Sequence, residues 1–144
     1  MKKYLILISV LFLFQVISSG QVTDPLISKC AMSTGPGTTY LKDFRVQLGK
    51  ANTQSGLRYK QVLSLSKNMR YRFTLCNAEN SNSVLVMKLM DKTGRQVLSS
   101  YDQKSGKTFP SIEFVCNKTD TYQIYFDFLN FQQGLGVGII SLVK

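Results

Sequence analysis

The chain has 144 residues, 44% of them hydrophobic and 18% charged, with three cysteines and no histidine. That length suits one domain with its own core. The missing imidazole removes Ser-His-Asp and Cys-His catalysis, the commonest zinc ligand and the usual near-neutral pH switch. Lysine and arginine number 18 against 8 Asp and Glu, a formal charge of +10, and without Lys2 and Lys3 the balance is 16 against 8, or +8.

Lys2 and Lys3 precede an apolar run over 4–17, and Ser18, Ser19 and Gly20 are small residues ahead of Gln21. This pattern predicts a signal peptide over 1–20, cut near Gly20/Gln21, and a periplasmic or secreted protein. The run is 14 residues long, short of the roughly 20 that a spanning helix needs, so the processed protein is expected not to span a membrane. Lys29 before Cys30 argues against a lipid anchor.

Residues 21–39, rich in Ser, Thr, Gly and Pro around Gly35-Pro36-Gly37, read as a leader loop, and the sandwich domain is expected over 40–144. Over 40–48, Phe44, Val46 and Leu48 alternate with Asp43, Arg45 and Gln47, the period of a half-buried strand. The polar stretch 49–56 breaks the pattern. It resumes over 58–66 and is clearest over 69–76, with Tyr71, Phe73 and Leu75 on the inward parity. Over 84–90 both parities are apolar, which fits a strand covered on both sides or one at an interface. Asp91 to Gly94 is a turn, and 95–101 returns as a hairpin. After a polar loop over 102–108, strands follow over 112–116 and 121–129, the latter placing Tyr122, Ile124, Phe126 and Phe128 on one face. The last strand, 135–143, is also apolar on both parities. Gly134, Gly136 and Gly138 are spaced two apart, so one face lacks side chains and another backbone can come close.

Seven or eight short strands with frequent turns and no helix after residue 20 predict an all-β chain, a single antiparallel sandwich of jelly-roll type. Cys76 and Cys116 each end a predicted strand, and a bridge between them is the favoured pairing, adding about 3 to 4 kcal/mol for a loop of about 40 residues. Cys30 bridging to either, staying free or pairing with another molecule are the alternatives.

The eight carboxylates fall mostly in turns or on solvent parities, which suits capping and solvation better than paired acid-base catalysis. Asp127 shares its parity with Tyr125 and is expected on a solvated face. The glycines at 136 and 138 open no helix, so they are no dinucleotide fingerprint. Asn117-Lys118-Thr119 fits a glycosylation acceptor, a pattern frequent by chance. Without CxxC or a dense Asp-x-Asp series, no metal or cofactor is expected. The basic balance points to polyanions, with Arg70, Arg72, Lys88 and Tyr125 as the candidate site and Tyr59 and Tyr101 as further stacking platforms. The expected partners are glycan, lipopolysaccharide or an envelope protein, and no specific nucleic acid.

Residues 71–75, 84–91 with Gly94, 112–114 and 121–126 resemble the bacterial pre-peptidase C-terminal type of domain, with Asp120 where that family carries a glycine. The resemblance implies a small jelly roll of the kind appended to secreted enzymes. Residues 40–44, 71–73, 76–79 and 136–143 resemble small exported proteins of Bacteroidota, which implies export and fold but no activity. Residues 91–98 also faintly resemble the sorting domains of type IX secreted proteins. The reading that emerges is a non-catalytic exported module that binds glycan or another polyanion. The alternative is an assembly component that uses 84–90 and 135–143 as a protein interface.

Overall fold

The structure is a computed structural model, and it describes residues 24–51 and 58–144. The expected signal peptide and cleavage point lie outside the described residues. The elements are a helix, α1 (Pro25–Met32), and strands β1 (Thr38–Leu48), β2 (Tyr59–Leu65), β3 (Arg70–Asn77), β4 (Leu85–Met90), β5 (Gln96–Ser99), β6 (Tyr101–Asp102), β7 (Lys107–Thr108), β8 (Ser111–Val115), β9 (Asp120–Phe128) and β10 (Gly134–Val143), with a 3-10 turn at Leu129–Phe131.

Strand pairing is concentric: β1 with β10, β2 with β9, β3 with β8 and β4 with β5, all antiparallel. The chain thus behaves as one long hairpin rolled up, and rolling adds the contacts β10 to β3 and β9 to β4. Two four-stranded sheets result, β1-β10-β3-β8 and β2-β9-β4-β5, which is the jelly roll that the alternating pattern predicts. The polar loop expected over 102–108 carries a small ribbon, β6 with β7.

The core lies between the sheets and follows the predicted parities. Phe44, Val46, Leu63, Leu65, Tyr71, Phe73, Met87, Leu89, Ile124 and Phe126 are all buried there. The glycines of β10 face inward, but they admit side chains more than another backbone. A Cβ at Gly138 would stand 2.5 Å from the Phe126 ring, and one at Gly134 2.5 Å from the Phe128 ring. At Gly136 it would meet the Cys76 carbonyl oxygen at 2.8 Å and Leu85 at 3.0 Å. Bulk on the second sheet fills what the first sheet leaves empty.

The other parity of β10 is covered from within the chain. Val137 and Ile139 pack with Cys30, Leu26, Ile27 and Ala31 of α1. The leader reading of 21–39 is corrected accordingly: it contains a helix and the start of β1. Asp24 caps α1 by accepting from the Leu26 amide at 2.9 Å, and Pro25 opens it. At eight residues the helix is too short to stand alone and too short to show a clear period in a Ser- and Thr-rich stretch.

The disulfide joins Cys30 to Cys76, with Cα atoms 5.7 Å apart, and Cys116 is a buried free thiol. The favoured Cys76–Cys116 pairing is therefore overturned. Cys116 bonds through its amide to Met69 beside the start of β3, whereas Cys76 lies near the end of that strand. Seven residues of strand separate them by about 20 Å, far beyond the roughly 7 Å limit on Cα atoms that a disulfide can bridge.

Mass spectrometry of the unreduced protein is expected to give one Cys30–Cys76 cross-linked peptide and one alkylatable thiol at Cys116 only after unfolding. Cys30→Ser with Cys76→Ser should lower stability by about 2 to 4 kcal/mol in urea titration, and a change near zero would mean that α1 docks without its strap.

Several carboxylates are held below their ordinary range by turn and cap contacts: Asp24 by the Leu26 amide and then Arg45, Asp91 by the Thr93 hydroxyl, Asp102 by the Ser105 hydroxyl. A depressed folded pKa contributes stability that is full above the unfolded value and lost as pH falls through the folded one. With no histidine in the chain, the melting temperature is expected to stay flat from about pH 5 to about pH 7 and to fall below about pH 4. A slope within the neutral interval would refute this.

Candidate functional site

The inward parity of β9 is occupied by Tyr122, Ile124, Phe126 and Phe128, which turns Gln123, Tyr125 and Asp127 toward the outer face of the second sheet. Register sets what stands beside them. Lys60 of β2 and Lys88 of β4 flank Tyr125, and Ser99 of β5 follows Lys88. The neighbouring row is Val62, Gln123, Met90 and Gln96. At about 4.8 Å between strands, the two lysine backbones stand roughly 10 Å apart with the aromatic ring between them. The Tyr125 hydroxyl donates to Gln123 Oε1 at 2.7 Å, and Lys60 Nζ sits 5.5 Å from the ring centre.

The charges on this face are uncompensated. All eight carboxylates of the chain are engaged elsewhere: Asp24, Glu79, Asp91, Glu113, Asp120 and Asp127 in ion pairs, Asp43 with the Tyr40 hydroxyl, and Asp102 with Ser105 and the Lys104 amide. Every arginine is in an ion pair. The cations left over among the described residues are lysines. Two of them, Lys60 and Lys88, flank Tyr125, and Lys104 and Lys107 lie on or beside the β6–β7 ribbon that borders this face.

Between that ribbon and the 3-10 turn runs a groove of about 260 Å³, with Val86 and Asp127 at its floor and Lys88, Tyr101, Gln103 and Phe131 among its walls. Asn130 and Phe131 have φ of 58° and 56°, an uncommon left-handed pair for residues with a Cβ. Backbone and side-chain contacts hold the turn in place. The Leu129 amide donates to the Val84 carbonyl at 2.8 Å, the Ala51 amide to the Phe131 carbonyl at 3.1 Å, and the Ser83 hydroxyl to the Gln133 carbonyl at 2.7 Å.

Asp127 corrects the solvated-face expectation. Its side chain is 2% exposed and accepts from Arg58 Nη2 at 2.7 Å, Arg58 Nε at 3.0 Å, the Arg58 amide at 3.1 Å and the Phe128 amide at 2.7 Å. Arg58 also donates to the carbonyls of Gly49 and Gln132, the latter at 3.0 Å. Parity marked Asp127 as outward, correctly, but the Arg58 side chain pairs with it there.

The structure divides the candidate site predicted from sequence. Lys88 and Tyr125 are cross-strand neighbours. Arg70 and Arg72 lie on β3, on the outer face of the other sheet. Arg72 Nη2 reaches Glu113 at 2.5 Å and its Nη1 donates to the Thr34 carbonyl at 2.7 Å, while Arg70 stands 3.6 Å from Glu113. These arginines tie β3 to β8, and Arg72 also holds the turn after α1. Tyr59 is no platform, since its ring meets Phe126 edge-on at 5.9 Å. Lys60, which the sequence placed in a basic stripe with Arg58 and Lys67, completes the surface with Gln123, Gln96, Gln103 and Phe131, which were not among the candidates. Strand register brings Lys60, Gln123 and Gln96 beside Lys88 and Tyr125, and the turns that border the groove bring Gln103 and Phe131.

No protein-family model matches this chain, and no curated protein does.

Removing Asp127 leaves Arg58 buried without its partner, so Asp127→Ala is expected to cost about 3 to 5 kcal/mol in denaturant unfolding. A cost below about 1 kcal/mol, the level of a surface ion pair, would show that the clamp does not hold the turn.

Proposed function

We propose that the protein is an exported, non-catalytic jelly-roll module that binds an acidic glycan across the outer face of its second sheet. The observation that carries this reading is the row Lys60, Tyr125, Lys88, an aromatic plane between two cations with no carboxylate in its row, while Asp127 in the adjacent row is engaged by Arg58. A sugar ring presents a C–H face that packs on an aromatic ring, and the phenol adds a polar tip. Carboxylate, sulfate or phosphate groups on that sugar meet the lysines as point charges. Gln123, Gln96, Gln103 and Ser99 supply amides and a hydroxyl that both donate and accept, as sugar hydroxyls require. The resemblances to pre-peptidase C-terminal domains and to exported Bacteroidota proteins bear on fold and export alone and belong to the proposal.

Binding of polygalacturonate, a neutral glucan and a DNA duplex by protein lacking residues 1–20 tests it, at low salt and at about 150 mM, where exposed charges more than about 8 Å apart are screened. Polygalacturonate binding is expected to persist at the higher salt. It should weaken about tenfold, or 1.4 kcal/mol, in Tyr125→Ala and in Lys60→Gln with Lys88→Gln, and stay unchanged in Arg70→Gln. Equal binding of every polyanion that vanishes with salt would reduce the positive charge to a solubility device and overturn the reading.

A further inference from the structure

The second sheet ends at β5 and the first at β8, and these two edges lie on the same side of the sandwich without bonding to each other. The gap between them is a cleft of about 670 Å³, within the usual range of roughly 300 to 1,000 Å³ for small-molecule sites. Its wall is apolar: Val97 from β5, Phe114 from β8 and the Tyr122 ring from β9, the two rings meeting edge-on at 5.8 Å. Burial pushes the Tyr122 phenol up to about 12, and its hydroxyl is turned to the Lys118 carbonyl at 2.9 Å, so the wall stays neutral.

The rim is cationic. Lys92 Nζ and Lys118 Nζ converge on one oxygen of Asp120, Oδ2, at 3.0 and 3.4 Å, while Oδ1 accepts from the Thr121 amide at 2.9 Å. Arg95 pairs with Asp91, whose Oδ1 is already occupied by the Thr93 amide and hydroxyl and the Arg95 amide. Three cations thus face two carboxylates. Two ammonium groups share a single acceptor atom and keep N–H donors free for a second anion beside Asp120.

We infer that this cleft is a second binding site, separate from the Tyr125 face, for an acyl carboxylate: the head between Lys92 and Lys118, the chain along Val97, Phe114 and Tyr122. Neither half of the site selects such a ligand alone. The wall is open to any apolar body, and the rim to any small anion. Together they favour a molecule that carries both, with each methylene buried on the wall adding affinity.

Titration of the purified protein with decanoate, acetate and decanol, followed by amide chemical shifts, tests the assignment. Decanoate is expected to shift residues 91–97 and 114–122 and to bind at least about tenfold more tightly than acetate, the head alone, or decanol, the tail alone. Lys92→Gln with Lys118→Gln should bring decanoate down to the level of decanol, whereas Lys60→Gln with Lys88→Gln should leave it unchanged. Phe114→Leu keeps an apolar side chain at the β8 edge and should weaken decanoate while sparing acetate. Equal responses to decanoate and acetate, shifts outside the cleft, or decanoate binding indifferent to the Lys92 and Lys118 changes would each overturn the assignment.

Discussion

The sandwich depends on the narrowness of β10 opposite β9. Two facing sheets share a core about 10 Å thick, and where one contributes rings, the other must leave room. Gly134 and Gly138 leave it for Phe128 and Phe126, and Gly136 for Leu85. The same strand is hydrogen-bonded on both edges, to β1 and to β3, and its outer parity is sealed by α1. β10 therefore holds together three layers: the helix, the first sheet and the aromatic rows of the second. A side chain at Gly138 would push against Phe126, whose ring in turn contacts Phe44 and Tyr59, so the strain would spread across the core.

The two sheet exteriors have different electrostatic roles. On the first, Arg72, Arg70 and Glu113 link neighbouring strands and fasten the turn behind α1, beside the Cys30–Cys76 strap. That exterior is internal scaffolding. On the second, lysines stand unpaired around an aromatic ring. Arginine suits the first task because its planar fork can bond several acceptors at once, and lysine suits a surface meant to stay hydrated and adaptable.

Strand identity was legible because one face of each strand is buried, and period-2 alternation survives wherever only one side meets the core. The inward parities of β1, β3 and β9 are those the alternation indicates. Three features were not legible, each for a physical reason. Helix α1 is stabilised by a disulfide and by β10, contacts remote in sequence, and its eight residues carry little periodic signal of their own. The disulfide partner depends on which way paired strands run: β3 and β8 are antiparallel, so two cysteines that both end strands lie at opposite ends of the sheet. Asp127, at an outward position, is buried where Arg58 pairs with it, which parity cannot report. Half of the candidate surface, Lys88 and Tyr125, was visible as residue types on strands. Lys60 joins them only through the register of β2 against β9, and register is a property of the assembled sheet.

The frame and the surface of the second sheet also differ in what perturbs them. The attraction of the exposed lysines for anions falls as salt shortens the screening length. The Arg58–Asp127 pair beneath the groove is shielded from that screening, with side chains 17% and 2% exposed. It fixes the end of β9 two residues from Tyr125 and, through the Gly49 and Gln132 carbonyls, the loops on either side. Raising the ionic strength should therefore weaken what the face attracts without moving the residues that form it. Removing Asp127 should do the reverse, loosening the groove while leaving the lysines themselves in place.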